Sequence, residues 1–129
     1  MINVLNIKNG DTLYEVKTDP WNEVNPKTFV HTVTEVCGFK KSENVEDWAD
    51  WEDVTDTCYC WCNTFDPIKS ETYREKFKFS ERYAKWLYTD KTEFREALRI
   101  AQEGRTNFIN RQITNMGNSL QNVIRYTND

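Results

Sequence analysis

The chain has 129 residues, 38% of them hydrophobic and 14% aromatic, and a formal charge of −4; this is enough apolar material for the core of one domain and too much for a disordered chain. Only four Gly and three Pro interrupt it, no apolar run reaches the ~20 residues that span a bilayer, and Met1 to Lys8 lacks the basic start and apolar stretch of a secretion signal. A single domain over residues 1–129 in the cytoplasm is expected, with Cys37, Cys58, Cys60 and Cys62 reduced.

In chain order, Asn9-Gly10 lies between Val4-Leu5-Asn6-Ile7 and Leu13-Tyr14-Glu15-Val16, the signature of a two-residue hairpin turn with φ > 0. Breaks at Asp19-Pro20 and Asn25-Pro26 precede a third strand over 28–37, which alternates Phe29, His31, Val33 and Glu35 with Val30, Thr32, Thr34 and Val36. A short strand over Thr57 to Cys62 follows, then one over Thr72 to Phe79 with Tyr73, Glu75, Phe77 and Phe79 on its core face. Residues 82–88 can pair with it across a turn at Ser80-Glu81, which makes an antiparallel sheet of about six strands.

The period changes at residue 89. Thr89 or Asp90 can cap a helix in which Phe94, Ala97, Leu98 and Ala101 share a face, with Gly104 as its stop. Thr106 then caps a second helix whose apolar positions Ile109, Ile113, Met116, Leu120 and Val123 step by 4, 3, 4, 3, a coiled-coil seam. The fold class expected is α+β: a mainly β part over 1–88 closed by a helical hairpin over 89–127. The seam fits either packing on the sheet or a homo-oligomer.

Charge is segregated. Residues 1–41 carry five basic and five acidic side chains, residues 69–129 twelve and eight, whereas Ser42 to Ile68 has no Lys or Arg and eight acids. Within it, Glu43, Glu46, Asp47, Asp50, Glu52, Asp53 and Asp56 surround Trp48 and Trp51. Two uses fit: the tryptophans dock a solvated loop on the sheet, or acids and Trp together form a partner-binding surface that imitates nucleic acid and enters a basic groove. The acids do not match a calcium-loop pattern.

Cys58-Tyr59-Cys60-Trp61-Cys62 has the look of a metal motif, with Cys37 and His31 as further ligands. In an extended strand its sulfurs stand about 6.8 Å apart on one face, too far for one zinc or a disulfide, and small thiols also suit a core face. No metal or cofactor is expected. His31 is the single histidine, Glu35 and Glu75 fit either an inward carboxylate pair or, as is more usual, sheet ends or pairing with a Lys or Arg, and no nucleophile, phosphate-loop or zinc-protease motif is present; the chain reads as a non-enzyme. Basic residues of the C-terminal half are interleaved with acids, which argues against direct nucleic-acid binding. Arg105, Asn107 and Arg111, near the start of the expected second helix, form an alternative site for a small nucleotide.

A β-rich part followed by two helices, with an Asn-, Lys- and Ile-rich composition, resembles small phage-encoded proteins. It is similar in layout to anti-CRISPR and Thoeris anti-defence proteins. The first resemblance implies an inhibitor that occupies the basic groove of a host or defence protein through an acidic surface. The second implies an oligomeric sponge that sequesters a cyclic nucleotide or other nucleotide signal.

Overall fold

A computed structural model describes residues 2–42 and 55–128, with side chains up to residue 121. The strands are β1 (Thr12–Lys17), β2 (Lys27–Lys40), β3 (Thr57–Asp66), β4 (Glu71–Ser80) and β5 (Leu87–Tyr88); the helices are α1 (Glu81–Ala84) and α2 (Lys91–Asn128). They form one antiparallel five-stranded sheet in the order β4-β3-β2-β1-β5. The α+β class stands: among the described residues there are five strands where about six are expected, and one long C-terminal helix where a C-terminal pair is expected.

The missing strand is the first. Residues Val4–Asn6 wind a 3-10 turn, opened by the Asn3 side chain, whose Oδ1 accepts from the Leu5 amide at 3.1 Å. Val4 and Ile7 are both buried, and a spacing of three puts two side chains on one face of such a turn but on opposite faces of a strand. Asn9-Gly10 does turn, with Gly10 at φ 90°, yet it closes no hairpin. The Gly10 amide donates to Val33 O at 2.8 Å, and Asn9 Oδ1 accepts from the Val36 amide at 2.7 Å, so the turn is hooked onto β2. Residues 82–88 also depart from expectation. They begin as α1, and the two-residue β5 pairs with β1, not β4.

The pairing of β2 with β3 shifts register between Val33 and Glu35 and again between Val36 and Gly38. Such bulges bend a strand and exchange which residues face which side. Val33 opposes Cys62 and Val36 opposes Cys60, two buried thiols, while Glu35 opposes Trp61 on the other face. The first bulge therefore delivers Val36 to the core in place of Glu35. The bend also lets the chain pass from edge strand β4 to edge strand β5 through only residues 81–86, where the edges of a flat five-stranded sheet would stand about 19 Å apart. α1 contacts both β4 and β5. It closes a concave face on which Leu13, Val33, Cys58, Cys60, Cys62, Phe79, Ala84 and Leu87 are buried with Val4 and Ile7.

The opposite face takes α2. Asp90 caps it, its Oδ1 accepting from the Thr92 amide at 2.6 Å and the Glu93 amide at 3.3 Å, and Phe94 packs on Tyr14 with ring centroids 5.2 Å apart. The helix does not stop at Gly104. There the loop between β1 and β2 rests on it, and a Cβ at Gly104 would stand 3.0 Å from Asn22 Oδ1; the glycine permits a close approach of loop to helix and leaves the helix unbroken. Gly104→Ala should thus be neutral or destabilise by up to about 1 kcal/mol, because contact with Asn22 offsets the ~1 kcal/mol gain in helix propensity. In an Asn22→Ala background the same change should stabilise, as read by urea denaturation; equal effects in both backgrounds would contradict this contact.

Candidate functional site

The polar groups of the concave face form one network. Glu15 on β1, His31 on β2 and Thr64 on β3 are 1%, 1% and 0% exposed. Glu15 Oε1 lies 2.7 Å from His31 Nε2 and accepts from the Tyr83 hydroxyl at 2.6 Å, and His31 Nδ1 lies 2.7 Å from Thr64 Oγ1. An ionised carboxylate only accepts, which places a hydrogen on Nε2; in the neutral ring Nδ1 then accepts from the Thr64 hydroxyl. Phe77 and Phe79 stand edge-on to the imidazole at 4.7 and 5.5 Å, with Phe29 stacked at 6.1 Å. The arrangement has the composition of a hydroxyl, base and acid relay, but all three members are sealed from solvent. No described buried side-chain polar atom lacks a partner.

Of the two placements open to Glu35 and Glu75, the inward carboxylate pair is not formed. Glu35 is exposed and pairs with Arg74 at 3.8 Å, and Glu75 is exposed on edge strand β4. Glu15 is the inward acid: it opposes Phe29 on β2 and Leu87 on β5, two residues along β1 from buried Leu13, and these partners lie far from it in the chain.

Cys58, Cys60 and Cys62 line the same face, fully buried, and Cys37 is exposed. Their sulfurs are not held at the extended-strand interval: Cys60 and Cys62 Sγ are 3.7 Å apart, because the side chains lean together on the curved strand. Hydrogen bonding to Cys60 and burial push the Cys58 thiol up. At Cys60 the bond from Cys58 acts downward, but Cys62 and burial outweigh it and the thiol is pushed up to about 12. The bond from Cys60 holds Cys62 below the usual thiol range. Among the described residues no three His, Cys, Asp or Glu side chains converge as metal ligands.

Of the acidic segment, Glu43, Glu46, Asp47, Trp48, Asp50, Trp51, Glu52 and Asp53 lie outside the described residues. Its neck is defined. Lys40 pairs with Thr57 where β2 ends and β3 begins, Asp56 Oδ1 accepts from the Ser42 amide at 2.8 Å, and Asp56 O accepts from the Glu81 amide at 3.0 Å. The Ser42 amide holds the Asp56 carboxyl below the usual carboxylate range, while the Asp56 carboxyl beside it pushes Glu81 up. A cleft of about 570 Å³ at this neck is lined by Ile2, Asn3, Thr55, Asp56, Glu81 and Arg82, among others. β3 runs ten residues, not the expected six, so Asp66 stands at the far end of the strand, about 30 Å away. There its Oδ1 accepts from the Ile68 amide at 3.0 Å. Asp66 is thus separated along β3 from Asp56 and the neck.

Arg105, Asn107 and Arg111 sit in the middle of α2, where amides are engaged within the helix, so no helix N-terminus serves them. Arg105 clamps the β1–β2 loop: Nη1 donates to Asn22 O at 2.9 Å and Nε to Asn25 Oδ1 at 3.2 Å. Asn107 and Arg111 are exposed. Beside this clamp a groove of about 960 Å³ runs between the loop and α2, lined by Tyr88, Ala97, Ile100 and Ala101 with Asp19, Glu93 and Glu96. Two of these acids have partners. Asp19 accepts from the Trp21 and Glu23 amides at 3.2 and 2.8 Å, and Glu96 pairs with Arg99 at 2.6 Å.

No family model, curated protein or solved structure matches the chain, so its chemistry rests on this geometry. Among the described residues no helix is long and apolar enough to cross a membrane.

The network supplies a test of its own. Glu15→Ala, which leaves the Tyr83 hydroxyl and the imidazole unpaired in the core, should cost ~3–5 kcal/mol, and Tyr83→Phe ~1 kcal/mol at neutral pH. Burial, and then the bond to Glu15, hold the Tyr83 phenol above its ordinary value of 10.0, so on raising the pH the unfolded chain loses this proton before the folded one does. The contribution is constant below the unfolded value and stability falls above it. Urea denaturation should show a shallower alkaline decline in Tyr83→Phe than in the wild type; parallel declines would place Tyr83 outside the network.

Proposed function

We propose that this chain is a non-enzymatic binding protein, an inhibitor of the phage type that acts in the host cytoplasm by placing its acidic segment in the basic, nucleic-acid-binding groove of a host or defence protein. The neck carries this reading. Lys40 pairs with Thr57, and Ser42 is bonded to Asp56 at 2.8 Å, so the two ends of the span that carries Glu43, Glu46, Asp47, Asp50, Glu52 and Asp53 meet at one place on the sheet. With no Lys or Arg between Ser42 and Ile68, this charge is undiluted along the chain. It would steer a basic partner toward the domain, and Trp48 and Trp51 would supply the apolar anchors such contacts concentrate.

The placement of His31 supports binding over acid–base catalysis. The single histidine of the chain is sealed with both ring nitrogens engaged, whereas a general base must reach the proton it removes.

The triple charge reversal Asp47→Lys, Asp50→Lys and Asp53→Lys tests the reading. Immobilised wild-type protein should retain nucleic-acid-binding proteins from a bacterial lysate, and duplex DNA should displace them. The variant, with unchanged circular dichroism, should retain at least tenfold less, corresponding to a loss of about 1.4 kcal/mol or more. Equal retention by the variant, or retention that DNA does not compete, would count against an acidic mimic of nucleic acid.

A further inference from the structure

Among the described residues, nothing is packed beneath the stretch of α2 from 109 to 121. The half-buried side chains described on α2, among them Phe94, Ala97, Leu98, Ala101, Arg105 and Phe108, reach as far as Phe108, and all thirteen residues from 109 to 121 are exposed. Ile109, Ile113, Met116 and Leu120 are 41%, 61%, 71% and 62% exposed. At ~100° per residue they form a stripe roughly a quarter turn away from the side that meets the domain. The helix cannot turn them inward without withdrawing Phe94 and Phe108. This stretch is also a poor helix alone. It holds Asn110, Thr114, Asn115, Gly117, Asn118 and Ser119, all weak helix formers, and the Thr114 hydroxyl donates back to Asn110 O at 3.0 Å, a bond that competes with regular helix. Helices of this kind owe their stability to what covers the apolar face.

We infer that the cover is a second copy of the same stretch, so that the protein is a homodimer joined by the seam Ile109, Ile113, Met116 and Leu120. Three observations favour a second copy over another protein. The apolar steps of 4, 3 and 4 are those of a left-handed coiled coil, in which an identical helix offers matching knobs and holes. The positions that flank such a seam, Asn110, Gln112, Gly117 and Ser119, carry no charge; flanking charges are what select a different partner and what repel an identical one. A Cβ at Gly117 would meet nothing within 4 Å, so two backbones can approach there. The area is also of the right order. Four side chains from each copy at ~100 Å² apiece, with the stems of the flanking residues, bury about 1,000–1,200 Å², at the lower edge of specific interfaces. The dimer is accordingly weak and reversible.

Sedimentation velocity of the full chain from about 1 µM to about 1 mM should pass from one copy to two, with far-UV helix signal rising over the same range. Ile113→Asn with Met116→Asn should remain a single copy throughout, with the thermal midpoint at the lowest concentration unchanged because both residues are exposed in the single copy. In a Cys37→Ser background, Met116→Cys should cross-link two copies under mild oxidation, and Asn118→Cys, on the outer side of the helix, should not. A wild type that stays monomeric to the top of this range, a dimer that survives the double Asn change, or equal cross-linking by the two cysteine variants would each overturn the inference. A different protein found on the seam of a monomeric chain would do the same.

Discussion

The carboxylate of Glu15 lies inside the domain, hydrogen-bonded to the imidazole of His31 and the hydroxyl of Tyr83, and the remainder of the architecture is arranged to keep it satisfied. Removing a carboxylate from water is costly, and the cost is offset only while its partners stay in place. Those partners come from β2 and from α1, and the ring in turn meets Thr64 of β3. One residue of slip between β1 and β2 would carry Glu15 or His31 to the opposite face and leave the other unpaired, because side chains alternate with period two. The network thus specifies register where apolar contacts, which are less directional, would tolerate alternatives. It also specifies the path of the chain after β4: Tyr83 reaches Glu15 only if residues 81–84 cross the concave face as α1.

The bulges in β2 serve the same end. A regular β2 would continue the alternation His31, Val33, Glu35 and present a second carboxylate to the thiol-lined floor, with no donor facing it. The register shift after Val33 turns Glu35 out beside Arg74 and brings Val36 against Cys60. The cysteines fit this place as small, weakly polar, fully buried core residues.

The single histidine and the carboxylate bonded to it lie inside the domain. Three features of the outside are distinct in position: the neck of the acidic segment between β2 and β3, the groove beside the Arg105 clamp, and the apolar stripe on the second half of α2. The first and third differ in chemistry, one charged and the other apolar. A dimer through the seam would display two acidic segments on one particle, an arrangement in which two weak contacts reinforce one another when both can be made at once.

Local pattern alone determined much of this protein. Alternation over 28–37 and 72–79 marks β2 and β4, Asp90 followed by the spacing of Phe94, Ala97, Leu98 and Ala101 marks the start of α2, and the steps from Ile109 to Leu120 mark the seam. These follow from periods of 2 and 3.6 and from capping chemistry, which involve only near neighbours in the chain. The run without Lys or Arg after Ser42 is visible in the same way. Tertiary structure decided what depends on distant partners. Asn9-Gly10 turns as its residues require, but whether it closes a hairpin or hooks onto β2 depends on where Val33 and Val36 lie. Gly104 has the sequence of a helix stop and becomes a contact because Asn22 arrives there from a loop some eighty residues earlier. Glu15 gives no local sign of burial, since a buried carboxylate is defined by the groups that surround it, and His31, Thr64 and Tyr83 are brought to it only when the strands pair and the sheet curls.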